Sequence, residues 1–67
     1  MKTVFRISNL RSSEDVNKLR KAIAKHEGVI ACQISKEKQE ISIVYDSYFV
    51  TDEVLVDSLE EMGYTVL

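Results

Sequence analysis

The chain has two glycines, Gly28 and Gly63; each follows a stretch of helical periodicity and precedes a short apolar run. This placement divides the sequence into two similar halves and constrains the fold more than any other feature. In the first half, "TVFRI" has the alternation of a strand, with Thr3, Phe5 and Ile7 facing one way and Val4 and Arg6 the other. From Glu14 onward Val16, Leu19 and Ile23 recur at helical spacing with Ala22 between them, while Lys18, Lys21 and Lys25 take the opposite side. This predicts a helix to about His26, stopped by Gly28, a residue able to take positive φ. The next run, "VIACQIS", reads as a second strand with Ile30, Cys32 and Ile34 on one face and Ala31 and Gln33 on the other.

The polar segment "SKEKQE" predicts a turn, and "ISIVYD" a third strand that forms a hairpin with the second. Thr51 is a plausible N-cap before Asp52 and Glu53; Leu55, Leu59 and Met62 then recur along a second helix that ends at Gly63. "YTVL" is long enough for one short final strand. The order strand, helix, strand, strand, helix, strand is a split βαβ duplication. Two amphipathic helices need a common apolar surface, so the expected architecture is α+β and ferredoxin-like. It has a four-stranded antiparallel sheet in the order 4-1-3-2, with both helices on one face.

A chain of 67 residues has room for one domain, spanning 1–67, and one small core. A core of this size typically yields roughly 3–5 kcal/mol. No disulfide can reinforce it, because Cys32 is the single cysteine, and a reducing cytoplasm suits such a chain. No run is long and apolar enough for a signal peptide or a membrane span, so a soluble protein without membrane insertion is expected. A net charge of −2 argues against nonspecific nucleic-acid binding. The open sheet face should show Val4, Arg6, Ala31, Gln33, Ser42 and Val44, with no aromatic on which a base could stack. No nucleophile and base are positioned together, and Arg11 lacks the glycine-rich loop of a phosphate site, so catalysis is not expected and no catalytic residue is assigned.

"FRISNL", "SSEDVNKLRKAI", "HEGVIACQIS", "ISIVYD" and "TDEVLVDSLEEMGY" together resemble the heavy-metal-associated domains of copper chaperones and copper-transporting ATPases. The resemblance covers almost the whole chain. Gly28-Val29, Tyr45-Asp46 and Gly63-Tyr64 fall at the separations of that family's "GV", "YD" and "GY" pairs. It implies a Gly-Met-Thr-Cys-x-x-Cys loop entering the first helix. Here Asn9 and Leu10 stand at Gly-Met, Arg11 at Thr, and Ser12 and Asp15 at the two cysteines. A protonated hydroxyl and a hard carboxylate do not replace soft thiolates as Cu(I) ligands, so neither a metal site nor a cofactor is expected from the family motif. Glu14, Asp15 and Asp46 are too few oxygens for a hard divalent cation.

Ser12 or Ser13 can cap the first helix, and Glu14 and Asp15 place negative charge where its dipole favours it. Cys32 is expected to be a small core residue on the helix-facing side, and His26 a solvated helix-end residue. Tyr48 and Phe49 are expected to close the end of the core opposite the loop. Tyr64 aligns with the aromatic residue that lies beside the family's metal loop. If the loop is a contact surface, exposed Leu10 and Tyr64 are its apolar centre, with Arg11 beside them.

The charge is segregated. The first helix carries Lys18, Arg20, Lys21 and Lys25, and the second carries Asp57, Glu60 and Glu61 where the dipole gives them no support. That acidic stripe is a candidate docking face for a protein partner, which the resemblance suggests is a metal transporter or regulator. The leading expectation is a copper-chaperone-like domain that has lost its thiol site and acts as a protein-binding or regulatory module. Two alternatives stand beside it. One is a heavy-metal carrier, of Cu(I) or another heavy metal, using non-standard ligands such as Cys32 thiols shared across a dimer; the other is an unrelated ferredoxin-like ligand-binding domain.

Overall fold

The computed structural model describes residues 1–67. Its elements are β1 (Lys2–Arg6), α1 (Ser13–Ala24), β2 (Val29–Ser35), β3 (Glu40–Tyr45) and α2 (Asp52–Glu61). The strands form an antiparallel sheet in the order β1-β3-β2. Register places Thr3, Ile43 and Cys32 in one cross-strand row and Phe5, Ile41 and Ile34 in the next, both facing the helices. The other face carries the rows Lys2–Val44–Ala31, Val4–Ser42–Gln33 and Arg6–Glu40–Ser35, as the period-two reading requires.

Both helices cover the inner face. Leu19 and Ile23 from α1 and Leu55 and Leu59 from α2 are fully buried against Ile41, Ile43 and Tyr45. Each such side chain contributes about 1.5–3 kcal/mol relative to exposure, and no polar or charged residue dilutes the core. Each helix begins at a capped end. Ser12 Oγ accepts from Asp15 N, and Thr51 Oγ1 accepts from Val54 N, which satisfies donors the first turn leaves free.

Four expectations are corrected. α1 ends at Ala24 with its C-cap at Lys25, so Gly28 does not stop it and instead lies in the turn that enters β2. The fourth strand is one antiparallel bridge, Ile7 to Val66, supported by Ser8 N donating to Thr65 O and Leu67 N to Arg6 O. Tyr64 cannot extend it, because its backbone N–H closes the end of α2 on Leu59 O and its ring turns into the core. On β2, Ile30 is 72% exposed rather than inward. Val29 opposes Tyr45 and Ala31 opposes Val44, so Ile30 is the extra residue of a bulge, which reverses the alternation at that point. Finally, Tyr48 and Phe49 do not close the core; both are exposed, stacked edge to face on each other, and Val50 fills the place inside.

Candidate functional site

The segment from Ser8 to Asp15 links the end of β1 to α1, and its path is fixed by three devices. Asn9 takes φ 73, the left-handed region that asparagine enters at less cost than most residues, at the position where the resembling family has glycine. That turn sends Leu10 inward, where it is buried among core residues. Gln39, in the hairpin between β2 and β3, then clamps Leu10: Leu10 N donates to its Oε1 at 3.0 Å and its Nε2 donates to Leu10 O at 2.8 Å. The Gln39 amide also donates to Lys36 O at 2.7 Å, and its own backbone O accepts from Ile7 N at 2.9 Å.

The third device is Asp15. Its Oδ2 accepts from Arg11 N at 3.0 Å and from Ser12 N at 3.3 Å, while its backbone N–H donates to Ser12 Oγ, a reciprocal capping box. Its Oδ1 accepts from the Tyr64 hydroxyl at 2.9 Å. One carboxylate thus ties the loop, the first turn of α1 and the segment after α2. The Arg11 backbone N–H and then the Tyr64 hydroxyl hold the Asp15 carboxyl below the usual carboxylate range. Burial, and then the Asp15 carboxylate, push the Tyr64 phenol above its ordinary value.

The arrangement differs from the expected contact surface in one respect. Leu10 is 4% exposed and Tyr64 is 9% exposed, so they are core residues rather than exposed anchors. The cause is the left-handed turn at Asn9 and the pull of Asp15 on the Tyr64 hydroxyl. Arg11, Asp57, Glu60 and Glu61 are all exposed, and α2 has no basic residue in its last turn to neutralise Glu60 and Glu61. Because the Asp15–Tyr64 contact joins the start of α1 to the end of α2, these acids lie toward the loop end of the molecule.

As a donor set, Ser12 and Asp15 supply oxygens already engaged by backbone N–H groups and a phenol, which does not fit Cu(I). Nowhere does the chain gather three or more His, Cys, Asp or Glu side chains in a metal-holding group. Cys32 is half-buried on β2, and burial pushes its thiol up, against the thiolate that a metal would need. His26 is not a solvated residue: it is half-buried, with its Nε2 2.7 Å from Ser58 Oγ, a link from the end of α1 to α2. Gln39 is the site residue that sequence reasoning missed, since its partner lies 29 positions away and its own segment reads simply as a polar turn.

No protein-family model and no curated protein sequence matches the chain. Solved structures do match it. The CopZ metallochaperone aligns over the whole of both chains with a TM-score of 0.96 at 19% identity. Oxidized MerP from Ralstonia metallidurans CH34 aligns with all of this chain and 93% of its own, with a TM-score of 0.91 at 19% identity. A copper binding domain of a P-type ATPase aligns with 98% of this chain and 92% of its own, with a TM-score of 0.90 at 18% identity. The chain has the heavy-metal-associated-like fold of these structures. The proteins it is similar to include a metallochaperone and a copper binding domain, and no helix here is long and apolar enough to cross a membrane.

Proposed function

We propose that this domain is a copper-chaperone-like scaffold that has lost its thiol site and works through protein contact, as a binding or regulatory module in the cytoplasm. The observation that carries the reading is Asp15. At a position where the resemblance implies a cysteine, a carboxylate is committed to Arg11 N, Ser12 N and Tyr64 Oη. The loop is therefore organised by internal hydrogen bonds and needs no ion to hold its shape. Support for a protein partner comes from Asp57, Glu60 and Glu61, exposed acids on a helix without bases. Similarity to a domain of a P-type ATPase makes a metal transporter one candidate partner, and a regulator of metal handling the other.

Cu(I) titration of the purified protein against a strong chelator is the test. The wild-type chain is expected to leave the metal on the chelator, whereas the double variant Ser12→Cys with Asp15→Cys is expected to withdraw one equivalent. Tight stoichiometric binding by the wild-type chain would overturn the reading, whatever the double variant does. Circular dichroism of the double variant separates a failure to bind from a failure to fold.

A further inference from the structure

The sheet has two lateral edges, and the chain treats them differently. The outer side of β1 is covered by the terminal segment through the Ile7–Val66 bridge. The outer side of β2 has no strand beside it. Edge strands in folded proteins are normally blunted by charge, proline or a bulge. β2 has seven residues, VIACQIS, with no charge and no proline, and its bulge is confined to Ile30. From Ala31 to Ser35 the register with β3 is regular, so alternate residues there turn their N–H and C=O away from β3.

A concavity of about 570 Å³ reaches this edge from the open face of the sheet, extending from Lys2 and Val4 on β1 across β3 to Cys32–Ser35 on β2. Its charged lining is unbalanced. Arg20 from α1 and Lys38 from the hairpin line its β2 end, Lys2 lies across the sheet on β1, and Glu40 of β3 is its single acid, although the chain as a whole is acidic. A second copy fits this place poorly, because joining two β2 edges would bring two such cationic rims together.

We propose that the β2 edge receives an extended acidic segment of a partner protein by strand addition. The backbone of the segment would continue the sheet beyond Cys32–Ser35, and its carboxylates would meet Arg20 on the helix side and Lys38 on the open side. The inference rests on the reading of the domain as a protein-contact module, but it concerns a different surface from the Asp15 loop and the acidic face of α2.

The probe is a fluorescent ten-residue peptide alternating glutamate with valine and threonine, beside a control with lysine in place of glutamate. Binding is read by anisotropy, and its location by amide hydrogen exchange on the whole chain. Saturable binding of the acidic peptide is expected, with slowed exchange at the outward-facing amides among Cys32–Ser35. The reversal Arg20→Glu with Lys38→Glu should weaken it by roughly tenfold or more. Both sites are exposed, so the fold should persist; Arg20→Glu alone is the fallback if it does not. Equal binding of both peptides, protection elsewhere, absence of binding, or sedimentation showing a dimer protected along β2 would each overturn the proposal. Each of these results leaves the Cu(I) titration, and the loop reading it tests, standing on its own.

Discussion

Asp15 ties the loop, the first turn of α1 and the segment after α2, and its effect is predictable from the roles of its two oxygens. Both oxygens must accept: one from the Tyr64 hydroxyl, the other from two backbone N–H groups. In Asp15→Asn, an amide that keeps its oxygen toward Tyr64 points its NH₂ at the Arg11 and Ser12 donors, so the variant should have a lower urea midpoint than wild type. Tyr64→Phe should lower it too, and the two changes together should cost less than their sum, the signature of a shared contact. The pH dependence has a defined sign. The Asp15 carboxyl is depressed in the folded protein, so its contribution is present above roughly pH 4 and is lost as pH falls through the folded value. The Tyr64 phenol is raised, so its contribution is present below roughly pH 10 and is lost as pH rises through its folded value. Urea midpoints for wild type and Asp15→Asn should therefore differ most at neutral pH and converge toward pH 2.

At the scale of elements, the two glycines look like equivalent helix stops in sequence and are not equivalent in space, since Gly63 directly follows the C-cap of α2 whereas Gly28 lies in the turn entering β2. Gly28 and Gly63 have φ of +96° and +94°, so either would strain a residue with a side chain. A Cβ at Gly63 meets nothing within 4 Å, whereas one at Gly28 comes within 2.6 Å of the Phe49 Cβ and 3.2 Å of the Asp46 carbonyl. Gly63→Ala should cost about 1–2 kcal/mol from backbone strain alone. Gly28→Ala should cost about 2–5 kcal/mol, since overlap is added; chemical denaturation of the two variants checks the order. Replacing Ser12 by alanine should remove about 1 kcal/mol through loss of the N-cap. The glycine stop at Gly63, the caps and the five regular elements were legible because each is set by residues within a turn of one another. The bulge was not, because Ile30 continues the period of Cys32 and Ile34, and only the pairing of Val29 with Tyr45 expels it. Leu10 and Gln39 were equally hidden. The backbone of the first, turned inward at Asn9, is held by hydrogen bonds exchanged with the second across the fold.

For the whole molecule, the controlling fact is that one small core joins both helices to the sheet and to the loop. Leu59 sits fully buried on α2, and its carbonyl accepts from the N–H groups of Met62 and Tyr64, so it also closes the helix end that delivers Tyr64 to Asp15. Leu59→Ala should cost about 3 kcal/mol through lost burial and the cavity left behind. Against a total of roughly 3–5 kcal/mol for a domain of this size, that change leaves the native state barely favoured at room temperature. Val54→Ala, on an exposed part of the same helix, should change stability by less than about 0.5 kcal/mol and serves as the control. Thermal melts by circular dichroism should show a large drop for the first and almost none for the second. Hydrogen exchange adds a sharper criterion. If the loop is held by the same core, the Leu10 amide in Leu59→Ala should lose protection together with the β3 amides. A loop amide that keeps its protection while β3 loses it would mean that the Asp15 and Gln39 contacts hold the site independently of the fold.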